Sequence, residues 1–197
     1  MLCKGRSATK DAGFTAFGLA AIIVIPAVRQ TIVHGMPERH SFPVVADFAA
    51  GWGSSGWDLH EVALGFGGDI QCDASVDSLQ YPGLFRQPTV RDWSTFSILG
   101  FQVLWPEKKP VVLGVRIDDL PDNPPYGNRY QQHFTLTNGW NEIRVMDIGT
   151  GKTPGGRLLD WHQVHEWGVF LVSPPHFDYF RISNVVLERT PVEDSTP

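Results

Sequence analysis

Between Arg91 and Ile148 the larger apolar side chains recur at every second position in four runs, broken by clusters of Pro, Gly, Asn and Asp. Alternation over roughly 4 to 8 residues places successive side chains on opposite faces of a strand, so each run predicts a strand with one buried and one wet face. In RDWSTFSILGFQVLW the apolar set is Leu99, Phe101, Val103 and Trp105; in VVLGVRIDD it is Val111, Leu113, Val115 and Ile117. The other face of the second run carries Val112, Gly114, Arg116 and Asp118, small groups followed by a guanidinium and a carboxylate. YGNRYQQHFTL and NGWNEIRVMDI continue the pattern. The four runs read as consecutive antiparallel strands.

Elsewhere Val44–Ala49 and Asp58–Phe66 predict one strand each, and Ser75–Gln80 another. Pro82-Gly83 marks a tight turn, because proline presets one turn position and glycine supplies the positive φ of the next. Gly149–Gly156 reads as a flexible loop. Leu158–Trp167 is the one stretch after the N-terminal segment with helical spacing, with Asp160 as its cap and Trp161, Val164 and Trp167 on its inner side. Val169–Val172 and Tyr179–Glu188 are closing strands, and PVEDSTP has nothing to bury.

The first residues are different in kind. Ala12–Val28 runs seventeen residues without a charge, behind Lys4, Arg6, Lys10 and Asp11 and ahead of Arg29. About 17 apolar residues is the lower limit for a spanning helix, and positive charge ahead of it favours a cytoplasmic N-terminus. The segment reads as a signal-anchor or a signal peptide; no convincing small-x-small site stands after Val28 and a lipobox cysteine is missing, which favours the uncleaved anchor. The expected organisation is a cytoplasmic N-terminus over 1–11, an uncleaved transmembrane signal-anchor over 12–33, a linker over 34–43, an extracytoplasmic sandwich domain over 44–189 and a flexible tail over 190–197. The chain is then a single-pass protein of the cell membrane.

Composition agrees with strands: seven Trp, twelve Phe and fifteen Pro in 197 residues favour short strands and many turns over a helical bundle. Residues 1–33 carry a net +3, which leaves −8 on the remainder. A domain that acidic repels a phosphate backbone, so nucleic acid is not an expected partner. Cys3 and Cys72 lie on opposite sides of the apolar segment, which argues against a disulfide between them, and no zinc-ligand spacing occurs.

Taken in order, YPGL, DWSTFSILGF, LGVRIDD, YGNRYQQ, NGWNEIRVMDI, GRLLDW and YFRISNVVLE resemble the carbohydrate-binding-module-like domain found behind VanZ-like membrane segments and in some polysaccharide enzymes. The resemblance covers roughly Val44 to Glu188. It implies an all-β fold, a two-sheet antiparallel jelly-roll β-sandwich of galactose-binding-like type, here with one short helix, and glycan binding without catalysis or cofactor. Where the family commonly shows Asp-Arg-Phe-Asn this chain has Asn128, Arg129, Tyr130 and Gln131, and Ser183 stands where an aspartate usually precedes Asn184. Roles carried by those carboxylates do not transfer.

The remaining chemistry is sparse. GTGKT at Gly149–Thr153 resembles the end of a phosphate-binding loop, but Pro154, Gly155 and Gly156 forbid the helix such a loop requires. His162, His165 and Glu166 spell HxxHE, neither of the orders that set a catalytic glutamate beside zinc ligands, though the two histidines would share a helix face. No serine sits in a GxSxG elbow. Asp118 and Asp119 are adjacent and so point to opposite faces, whereas glycoside hydrolysis needs two carboxyl groups about 5 to 9.5 Å apart across a bond.

The polar strand face is the candidate site. If the strands pair side by side, Gln102, Arg116, Asp118, His133 and Arg144 share one surface, with Arg129 and Gln131 at its edge. Arg116, Asp118 and Arg129 are either ligand groups or an ion-pair network that sets strand register. Trp93, Tyr126 and Trp140 are candidate aromatic platforms. The competing functions are a scaffold for an envelope protein partner and a glycan-active enzyme.

Overall fold

The computed structural model describes residues 43–48, 55–66, 69–74 and 80–189. The expected cytoplasmic N-terminus, anchor and tail, nearly all of the linker and nearly all of the strand at Ser75–Gln80 lie outside the described residues. No helix among the described residues is long and apolar enough to cross a membrane.

Among the described residues twelve strands form two sheets: β1 (Val44–Ala46), β2 (Asp58–His60), β3 (Val62–Phe66), β4 (Ile70–Ala74), β5 (Gly83–Arg86), β6 (Ile98–Trp105), β7 (Val111–Asp118), β8 (Tyr130–Leu136), β9 (Gly139–Val145), β10 (Glu166–Val172), β11 (Tyr179–Ile182) and β12 (Val185–Glu188). Every pairing is antiparallel. One sheet runs β2-β5-β10-β7-β8. In the other, β9 lies along one edge of β6, and β11 and β12 lie in succession along its second edge; β4 and β3 extend beyond β11, and β1 beyond β12. This is the arrangement of a jelly-roll sandwich.

The inward sets read from the pattern close the core. Leu99, Val103, Trp105, Leu113, Val115 and Ile117 are wholly buried, with Phe101 and Val111 nearly so. From β10, beside β7 in the same sheet, come Trp167, Val169 and Leu171, and Trp93 packs against Trp167. Cys72 is a free thiol in this core, and burial pushes its pKa well up, which leaves it a small apolar side chain.

Four expectations are corrected. Asp58–Phe66 is two strands in different sheets, divided at Glu61, whose φ of +58° turns the chain while its carboxylate accepts the N–H groups of Gln80 (3.0 Å) and Tyr81 (3.2 Å). Gly83 is strand, not turn: a Cβ there would sit 2.7 Å from the Phe170 Cα, so close approach of β10 is what requires glycine. Gly149–Gly156 is a built hairpin, closed by a bridge between Lys152 and Leu158 and by Gly155 N–H on Gly127 O at 3.0 Å.

Leu158–Trp167 forms no helix. Asp160 makes a single turn, accepting His162 N–H on its side chain (3.1 Å) and Gln163 N–H on its carbonyl (3.0 Å). The next donors are taken by distant carbonyls, Val164 N–H by Arg91 O and His165 N–H by Asp118 O, while Trp161 O accepts Trp93 N–H. Long-range pairing thus replaces the i→i−4 ladder, and burial of Trp161 and Val164 supplies the apolar period that mimics a helix.

Candidate functional site

The outer face of the five-stranded sheet is organised by register into two rows that cross all five strands. One row reads Asp58, Phe85, Gly168, Arg116, Gln131; the next reads His60, Gly83, Phe170, Gly114, His133. Glu166 and Asp118 pair directly beyond the first row.

Glycine decides the shape of this face. A Cβ on Gly114 would stand 2.6 Å from the Phe170 Cε1 atom, and one on Gly168 would meet the Phe85 ring and lie 2.8 Å from its Cα. With no side chain beneath them, the two rings lie down over neighbouring strands, centroids 6.3 Å apart and planes 27° apart. Tyr81, about half exposed, and His133 meet Phe170 edge-on at 6.0 and 6.3 Å. The result is an aromatic cluster in which Phe170 is buried while Phe85 and Tyr81 keep accessible ring surface.

Beside the cluster lies a cleft of about 390 Å³ lined by Asp58, His60, Phe85, Gln87, Arg116, Leu120, Asp122, Asn123, His165 and Glu166. Arg116 is only 8% exposed. Its Nε donates to Asp118 Oδ2 at 2.7 Å, Nη2 also meets that carboxylate and lies 3.3 Å from Glu166, and the guanidinium sits 5.2 Å from the Phe85 ring centroid. Asp118 is fully buried and its Oδ1 has no partner among the described residues, so burial carries its pKa upward against the pull of Arg116. Burial, then the charges of Asp118 and Asp58, raise Glu166 as well, again against Arg116.

The segment after Asp119 forms the lip. Asp122 and Asn123 both take positive φ (58° and 54°), which turns Asn123 Oδ1 toward two guanidinium groups, Arg116 at 3.1 Å and Arg129 at 2.8 Å. Arg129 Nε also donates to Pro124 O. Asp119 ties this lip to the hairpin below it: Arg157 bonds both its oxygens at 2.5 and 2.7 Å, and Asp160 N–H donates to it at 2.7 Å. Burial raises the Asp119 pKa, but these bonds outweigh it and hold the group below the ordinary carboxylate range.

Five of the seven expected site residues come together here: Arg116, Asp118, Gln131 and His133 on the sheet and Arg129 on the lip. Gln102 and Arg144 do not. They lie on the outer face of the opposite sheet, where Gly100 pairs with Arg144 and Gln102 with Glu142, and Arg144 holds Glu188 at 2.6 Å. The cause is topological: β6 and β7, and likewise β8 and β9, are sequence neighbours in different sheets. Trp93 is wholly buried and is no platform, while Tyr126 and Trp140 are exposed, Trp140 on the opposite sheet. The alternation missed Phe85, Phe170, Asn123 and the β2 residues; the available signal was glycine at outward positions of three strands.

No protein-family model and no curated protein matches this chain. Among solved structures it is similar to an exo-β-agarase (12% identity, TM-score 0.59, 77% of this chain against 26% of that one) and to a second agarase (12%, 0.56, 75% against 26%). A family 11 carbohydrate-binding module from Clostridium thermocellum aligns at 14% identity and a TM-score of 0.46, over 69% of this chain and 85% of the module. The chain spans about a quarter of the length of the agarases it matches, and at such identities the agarase matches establish the shared sandwich fold alone.

Proposed function

We propose that this chain is a non-catalytic carbohydrate-binding module, displayed outside the cell by a membrane anchor over residues 12–33, that recognises an envelope or extracellular polysaccharide. The observation that carries the reading is the Phe85 ring laid over Gly168 and the half-exposed Tyr81 ring, both packed on buried Phe170, beside a polar cleft. Sugar rings present C–H patches to flat aromatic surfaces and hydroxyls to planar polar groups, and this face offers both within one site. The motif order resembling carbohydrate-binding-module-like domains behind VanZ-like segments, and the sandwich shared with agarases, support the same reading.

Neither carboxylate of LGVRIDD is free for acid-base work. Asp118 is sealed beneath Arg116, and Asp119 is clamped by Arg157. Arg116 then serves the site by holding Glu166 and bracing Phe85.

Isothermal titration with soluble oligosaccharides tests the proposal. Phe85→Ala and Tyr81→Ala should each weaken binding about tenfold or more, as expected for loss of a stacking ring, while Trp140→Ala on the opposite sheet leaves it unchanged. Equal loss from Trp140→Ala would move the site, and absence of binding to any glycan would remove the function.

A further inference from the structure

The electrostatics of the cleft bear on which polysaccharides it admits. On the outward positions of the five strands Arg116 is the one Lys or Arg, and it is consumed: Asp118 and Glu166 take its charge, Asn123 Oδ1 a further N–H, and Phe85 one face. Arg129 points its donors at the neutral oxygens of Pro124 and Asn123 on the lip, and Arg157 is ion-paired with Asp119. Against these, Asp58 and Asp122 line the cleft with no ion pair among the described residues, and Glu166 shares its one cation with Asp118.

Resting on the carbohydrate reading above, we infer that the cleft selects uncharged glycans and rejects carboxylated or sulfated ones. An anionic substituent would find Arg116 already paired and Arg129 turned onto the lip, and it would approach Asp58, Asp122 and Glu166 in a partly desolvated cleft, where like charges repel more strongly than in water. A neutral sugar meets no such penalty. Its hydroxyls donate to Asp58 and Glu166, and they can accept from the Asn123 Nδ2 group, whose orientation is set because both arginines claim Oδ1.

The test is calorimetric titration of the full chain with a neutral agarose tetrasaccharide, a neutral β-1,3-1,4-glucan tetrasaccharide and a sulfated carrageenan tetrasaccharide. At least one neutral ligand should bind about tenfold or more tightly than the sulfated one, as like-charge juxtaposition requires, and the gap should narrow with added salt, which screens the repulsion. Asp58→Asn should raise affinity for the sulfated ligand while changing its salt dependence. Preferential binding of the sulfated ligand, lost in Phe85→Ala, would overturn the charge rule and keep the site. Binding of none of the three would overturn the carbohydrate reading and this inference with it.

Discussion

Arg116 occupies an outward strand position and is nevertheless buried, because Phe85, Glu166 and the Asn123 lip close over it. Removing one partner of such a pair leaves the other charge uncompensated. Arg116→Met should therefore destabilise the protein by about 3 to 5 kcal/mol at neutral pH, read from urea midpoints. The sign of the pH dependence follows from Asp118. Without Arg116 its folded pKa rises further above the unfolded value, so the native state binds a proton that the unfolded state lacks, and stability recovers as pH falls through that folded pKa. Asp119 behaves oppositely: its folded pKa lies below the unfolded value, so its contribution is complete above the unfolded pKa and is lost as pH falls through the folded one. Asp119→Asn should abolish that acid-side loss, and an unchanged acid limb would show that the Arg157 clamp is dispensable. A guanidinium and a carboxylate two residues apart on one strand face were legible in LGVRIDD, and the pair they form is there. That Arg116 would be covered was not legible, since the covering groups come from β5, β10 and a lip with two left-handed residues.

At the scale of elements, alternation told which face of a strand is apolar but not which sheet the strand joins. Leu99 to Trp105 and Val111 to Ile117 point inward as their period demands, yet from opposite sides of the core, because the five residues from Pro106 to Pro110 carry the chain across the sandwich. Gln102 was thereby grouped with Arg116 although the two stand on opposite outer surfaces. Glycines on the outward rows show what pairing adds. Beside Gly83 and Gly168 stand backbone atoms, Val169 O and Leu84 O, which cannot move without breaking the β5–β10 ladder, whereas Gly114 faces only the far edge of the Phe170 ring, which can swing outward. Alanine at Gly83 or Gly168 should consequently cost about 3 kcal/mol or more, at the upper end of overpacking. Gly114→Ala should cost less, about 1 kcal/mol, yet lift Phe170 from the cluster and weaken glycan binding. Thermal unfolding beside titration of the three variants checks this, and equal destabilisation by all three would mean that the Phe170 ring is locked.

For the whole molecule the question is how the proposed glycan-binding face is presented, and charge is divided: a net +3 on residues 1–33 and −8 on the remainder. The proposed anchor is short. With seventeen uncharged residues, Ala12–Val28 stands at the lower limit of about 17 for a span, so it has little hydrophobicity to spare. One charge at its middle costs about 2.5 to 3.5 kcal/mol on insertion scales, enough to tip a marginal segment out of the bilayer. The wild-type chain should stay in the membrane pellet through an alkaline carbonate wash, and Leu19→Arg should move it into the supernatant with its sandwich still folded, since among the described residues the core runs from Val45 to Leu187. A soluble wild-type product beginning near Arg29 would show instead that the segment is a cleaved leader. The proposed glycan-binding face would then act free of the membrane, its affinity in titration unchanged and only its location different.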